Sequence, residues 1–83
     1  MDDAKIEKVL NKIREAFKQA IDADEINITI DSTPDDIPGW DSLGHVAVGG
    51  CLESVFGVSL DVDELMEMED IRSIVHIMLP KVS

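Results

Sequence analysis

Ser42 is the residue in this chain best placed to do chemistry. It follows Asp41 at the expected start of a helix, beside backbone N–H groups that find no partner inside the helix. A phosphate esterified to its hydroxyl would meet those donors and the positive end of the helix dipole. The same position also suits a plain helix cap, and no self-contained nucleophile surrounds it. His45 lies three residues on, but the Gly-x-Ser-x-Gly elbow is missing and no strand precedes it. Metal chemistry has no ligand set either. Cys51 is the single cysteine, and His45 and His76 stand alone without ligand spacing. Asp61 and Asp63 match positions one and three of an EF-hand loop. Leu65 then replaces an acidic ligand, Met66 replaces the required glycine, and Arg72 stands where the terminal glutamate belongs, which excludes a calcium loop.

The elements that must position Ser42 follow from periodicity. Ile6, Val9, Leu10, Ile13, Phe17, Ala20 and Ile21 recur at three- and four-residue steps, which predicts a helix over residues 3–22 capped by Asp2 or Asp3. Residues 23–40 break that period with Pro34 and the Pro38-Gly39 turn signal. Ile26, Ile28 and Ile30 alternate as a strand would, but no second strand exists to pair with, so they are expected to pin a long loop across the helices. A second helix over 42–56 starts at Asp41 or Ser42 and stops at Gly57. A short helix follows from Asp61 to about Met66. A final helix is capped by Glu69 or Asp70, faces the core with Ile71, Ile74, Val75 and Met78, and is expected to stop at Pro80. The expected fold is all-α: a four-helix bundle with a long first loop and a short third helix, one domain over residues 1–83.

The second helix carries two apolar faces. At 100° per residue, Val48, Cys51, Leu52, Val55 and Phe56 share one arc, while Leu43, Val46, Ala47 and Gly50 fall roughly opposite. A small bundle has one core, so the second stripe is expected to be exposed as a partner surface, unless the helix is buried on both sides. Gly49 and Gly50 each oppose helix formation by roughly 1 kcal/mol relative to alanine, which calls for a closely packed neighbour or a partner that needs the space.

Composition bounds the partners. Eighteen acidic against seven basic side chains give a net charge of −11, which repels nucleic acid and anionic membrane and attracts basic protein surfaces. The five bases before residue 40 (Lys5, Lys8, Lys12, Arg14 and Lys18) all lie on the first predicted helix. No apolar run approaches the ~20 residues a membrane span needs, and no secretory signal is visible. A cytoplasmic monomer, not inserted in membrane, is expected.

Asp41-Ser42-Leu43 resembles the D-S-L signature of acyl carrier proteins. Leu52-Glu53-Ser54-Val55-Phe56-Gly57-Val58 is similar to that family's L-E-x-x-F-G-[IV] run, and Leu60, Leu65, Met68, Ile71, Ile74, Val75 and Met78 fall where the family places core aliphatics. The resemblance covers nearly the whole chain. It implies a non-catalytic carrier whose cofactor, 4′-phosphopantetheine derived from coenzyme A, is attached to Ser42 by a phosphopantetheinyl transferase. Asp41 would support the priming complex. The arm's thiol would hold acyl groups as thioesters for enzymes of fatty-acid, lipid or specialised acyl metabolism. Docking in the family uses the second helix and the acids after it, which here are Leu43, Val46, Ala47, Gly50, Glu53, Asp61, Asp63, Glu64 and Glu67. Cys51, on the core arc, is no substitute for the arm's thiol.

Departures from the pattern bear on the pathway. Family members often have an acid where Ala47 stands and a bulky apolar residue where Gly50 stands, so this surface is flatter and less acidic. Trp40 before the motif is similar to carriers of specialised pathways, although its simplest role is packing on the bundle. The nearest rival is an aminoacyl, D-alanyl or peptidyl carrier. Peptidyl carriers usually place glycine and histidine before the serine, so Asp41 favours acyl cargo, while D-alanyl carriers share the aspartate. A more distant rival is an acidic helical protein-interaction module with no arm.

Overall fold

The computed structural model describes residues 3–21 and 27–82. The cap expected from the Asp2 or Asp3 side chain, residue 22 of the first helix and Ile26 of the loop lie outside them. Four α-helices make up the fold, with no strand among the described residues: α1 (Asp3–Ile21), α2 (Ser42–Phe56), α3 (Val62–Glu67) and α4 (Ile71–Val82). This is the all-α bundle with a long first loop and a short third helix that the sequence implies.

The core forms where the apolar stripes of α1, α2 and α4 meet. Val9, Leu10, Ile13, Ala16 and Phe17 from α1 pack with Val48, Leu52 and Phe56 from α2 and with Ile71, Ile74, Val75 and Met78 from α4. Burying such side chains is worth roughly 1.5–3 kcal/mol each before the entropy of ordering them is counted. Cys51 and Val55 reach only half-burial at the rim of that arc.

The long loop is held at both ends. Ile28 and Ile37 are fully buried, and the Arg14 guanidinium donates to the Ile28 carbonyl at 2.8 Å. A turn closes between Thr29 and Ser32, and the Ile71 N–H donates to the Ser32 carbonyl, joining the loop to the start of α4. A single 3₁₀ turn follows over Pro34–Asp36. Of the alternating isoleucines, Ile28 pins the chain across the helices and Ile30 packs half-buried against the core, as anchors rather than as a strand, while Ile37 is an anchor that the alternation did not single out.

Helix ends follow local chemistry. Asp61 and Glu64 satisfy each other's backbone N–H groups at the start of α3. Asp70, not Glu69, caps α4 and accepts from both the N–H and the hydroxyl of Ser73. Gly57 ends α2 in the left-handed conformation, φ 67°, that a residue with Cβ adopts at a cost. Pro80 does not stop α4, which runs on to Val82. A proline in the final turn removes only one intrahelical donor, while Leu79 and Val82 on either side of it pack against the core and Lys81 pairs with Glu64.

Candidate functional site

Ser42 is the first residue of α2, and it is exposed. Asp41 is the N-cap: its backbone is extended and its Oδ1 accepts from the Gly44 N–H at 2.8 Å. The cap uses one of the free donors of the first turn. The N–H groups of Ser42 and Leu43 keep no partner among the described residues, so they remain available to an anion at the serine.

The Pro38-Gly39 turn seats this helix start. Gly39 has φ 89°, and its carbonyl sits so close to the first turn of α2 that a Cβ on Gly44 would overlap it. Next to it, Trp40 is buried edge-on against Phe17, with ring centroids 4.9 Å apart. Its indole N–H donates to His45 Nδ1 at 2.8 Å, and His45 Nε2 lies 2.7 Å from the Leu65 carbonyl. The indole only donates and the carbonyl only accepts, so the imidazole carries its proton on Nε2 and accepts at Nδ1. Through two hydrogen bonds, this half-buried histidine links the loop before Ser42, the first turn of α2 and the body of α3. Trp40 thus packs on the bundle as its simplest role required, while the link through His45 was not legible from an isolated histidine.

Asp41 and Ser42 open onto a groove of about 420 Å³ walled by Trp40, His45, Met66 and Met68. An exposed hydroxyl, two unpartnered N–H groups and an adjoining groove of mixed apolar and polar walls fit a phosphodiester-linked arm. Ser42, through the ester bond, and the N–H groups of Ser42 and Leu43 would hold its phosphate end, on the first turn that Asp41 caps.

The sequence-selected partner residues divide into two groups. Leu43 and Val46 are 85% and 64% exposed, and Ala47 and Gly50 lie open beside them, so the outward stripe of α2 is real. Asp61, Asp63 and Glu67 are also exposed. Glu53 and Glu64 are instead half-buried and already engaged. Glu53 accepts from the Leu60 N–H, and Glu64 is bound by the Lys81 ammonium at 2.8 Å. That ammonium, followed by the Asp61 N–H, holds the Glu64 carboxyl below its ordinary pKa, against a smaller opposing effect of burial. Sequence reasoning missed Val62 and Met66, which extend the apolar stripe onto α3 at 70% and 72% exposure. Their i, i+4 spacing, opposite the inward Leu65, was the available signal.

The two glycines of α2 also separate. A Cβ on Gly49 would strike Leu65 Cδ1 at 2.5 Å, so the bare glycine makes room for the end of the Leu65 side chain. Around Gly50 there is open space.

The family model described as the phosphopantetheine attachment site matches residues 11–78. A curated relative, the acyl carrier protein of Petrotoga mobilis (strain DSM 10674 / SJ95), is 26% identical over 77 residues, which take in 93% of this chain and 91% of that protein. No solved structure matches the chain significantly. The matched span runs from the middle of α1 to the last turn of α4 and contains the whole Asp41–Leu65 region built above. On that match the chain belongs to the phosphopantetheine-attachment family, and it is a non-catalytic carrier with 4′-phosphopantetheine as its covalent cofactor.

Proposed function

We propose that Ser42 is the attachment residue and that this chain, as one domain, delivers acyl groups to enzymes of fatty-acid, lipid or specialised acyl metabolism. The observation that carries this reading is the exposed Ser42 hydroxyl at the open N-terminus of α2, inside the span that matches the family. In priming, a phosphopantetheinyl transferase takes the proton from Ser42 Oγ. The oxygen bonds to the phosphorus that bears the pantetheine, and the bond from that phosphorus to the nucleotide part of coenzyme A breaks. Asp41 supports this step from the cap position, where its Oδ1 already fixes the first turn. The bound arm supplies a thiol that holds acyl groups as thioesters.

Docking is assigned to Leu43, Val46, Ala47 and Gly50 on α2, with Asp61, Asp63 and Glu67 at the α3 end, and with Val62 and Met66 between them. Apolar contacts hold the partner, and the acids speed and orient encounter with a basic surface. Glu53 and Glu64 contribute charge to the same edge while tied to Leu60 and Lys81. A cytoplasmic, monomeric carrier agrees with the net charge of −11 and with the lack of any helix, among the described residues, long and apolar enough to cross a membrane.

The test is to incubate the chain with coenzyme A, magnesium and a broad-specificity phosphopantetheinyl transferase and to measure its intact mass. One arm should be added to the parent and none to Ser42→Ala, while the helical circular dichroism of the variant stays intact. A parent chain that stays unmodified sinks the assignment. Mass spectrometry of the thioester formed in cells separates acyl cargo from the aminoacyl and D-alanyl alternatives that Asp41 also suits.

A further inference from the structure

A recess of about 330 Å³ opens between the first half of α1 and the C-terminal ends of α2 and α4. Lys5, Lys8 and Lys12 rim it, and Val9, Phe56 and Val82 form its apolar lining. It lies far from the serine, since Ser42 and Phe56 are the two ends of a 15-residue helix and stand about 21 Å apart along its axis. Val9 and Phe56 are nearly inaccessible, and the Lys12 ammonium rides 5.4 Å above the Phe56 ring.

The charge distribution makes this corner unusual. Acids outnumber bases eighteen to seven in the chain, yet three lysines converge here within two turns of one helix. Arg14, Arg72 and Lys81 each pair with a carboxylate, whereas none of these three lysines forms an ion pair among the described residues. Like charges three and four residues apart repel, so the cluster opposes folding slightly and gains from a bound anion. The volume stands at the lower end of the roughly 300–1,000 Å³ typical of small-molecule sites, and its lining is mostly apolar with a few convergent charges.

We infer that this recess binds a small amphiphilic anion, with a carboxylate head among the ammonium groups of Lys5, Lys8 and Lys12 and an aliphatic tail over Val9, Phe56 and Val82. The site is separate from Ser42 and does not depend on the arm. A purely structural role for the lysines has its own basis, because the negative ends of the α2 and α4 dipoles point toward this corner. The two accounts give different results.

Decanoate, kept below its micelle concentration, is titrated into the full chain and followed by amide NMR. Saturable shifts confined to Val9, Lys12, Phe56 and Val82 are expected, with decanol binding about tenfold more weakly because it lacks the charge. The Lys8→Gln/Lys12→Gln double variant should lose about the same factor, while Lys8→Arg/Lys12→Arg keeps the affinity. Both positions are exposed, so each variant stays folded, which its melting curve verifies. Ser42→Ala should bind decanoate as the parent does, which keeps this result independent of the attachment assignment. The inference is overturned by the absence of saturable shifts, by equal affinity for decanol, or by binding to anionic phospholipid vesicles alone. A double variant with a lower melting temperature and no decanoate site in the parent assigns the lysines to the helix ends.

Discussion

Helices α2 and α4 are both rich in apolar residues, yet they place them differently. Every large apolar side chain of α4 is buried or half-buried, with Ile71, Ile74, Val75 and Met78 inside the core. In α2, Val48, Leu52 and Phe56 go in while Leu43 and Val46 face solvent beside Ser42. The free energy of burial is thus realised on folding in α4, but part of it is withheld in α2. The exposed part becomes available only when another surface covers it, which is what a carrier needs at the end that presents its cargo.

The largest effects break this contrast from the α4 side. Ile74→Ala should cost about 3 kcal/mol, a large fraction of the stability of a small domain, and urea denaturation would show it as a lower midpoint. Leu43→Ala should leave the midpoint within about 0.5 kcal/mol while slowing acyl transfer with a partner enzyme by raising its KM. A stability loss at Leu43 as large as at Ile74 would mean that the outward stripe belongs to the core.

The adjacent glycines sharpen the comparison within α2 itself. Gly49→Ala places a Cβ against Leu65 Cδ1, so the end of that side chain must turn aside, and this offsets part or all of the roughly 1 kcal/mol gained in helix propensity. Gly50→Ala meets open space and should stabilise by roughly 1 kcal/mol, the helix propensity alone. Thermal melts should therefore show a larger rise for Gly50→Ala than for Gly49→Ala. Gly50→Met should go further and weaken docking if a partner backbone approaches there, while unchanged loading and transfer would remove that role.

The Trp40–His45–Leu65 link comes next in size. Trp40→Phe removes the indole N–H from His45 Nδ1 and should cost about 1 kcal/mol, the net worth of one hydrogen bond. In the parent chain, nitrogen-15 NMR of His45 should show the proton on Nε2. A ring protonated on Nδ1 instead is incompatible with both hydrogen bonds.

Periodicity made the four helices and the two-faced α2 legible, because one core selects one arc. The D-S-L tripeptide with its downstream spacing made Ser42 legible. Besides the His45 link, three features were not, each because it depends on an approach between distant segments. Pro80 inside α4 depends on core contacts of Leu79 and Val82 that outweigh one lost donor. The need for Gly44 depends on where the Gly39 carbonyl falls. The withdrawal of Glu53 and Glu64 into hydrogen bonds depends on Leu60 and Lys81 reaching them, although their charge alone had suggested free docking acids.

The smallest expected effect concerns acid, and it concentrates at α3 and α4. The Lys81 ammonium lowers the pKa of Glu64, and the N–H and hydroxyl of Ser73 lower that of Asp70. Both carboxyls are held below their unfolded values, about 4.3 and about 3.9. The stability they contribute is therefore complete above those values and disappears as pH falls through the folded ones. Lys81→Met takes the ammonium away from Glu64 and should reduce the loss of stability between about pH 6 and about pH 3. Ser73→Ala should have a smaller effect through Asp70, because it removes the hydroxyl and keeps the N–H, the larger cause. Each is read as the difference from the parent chain in urea midpoint against pH, because the other acids of a chain with net charge −11 repel one another and are relieved by the same protons. An acid loss unchanged in both variants would place the pH sensitivity elsewhere and leave the α3–α4 junction a matter of packing through Leu65 and Met68.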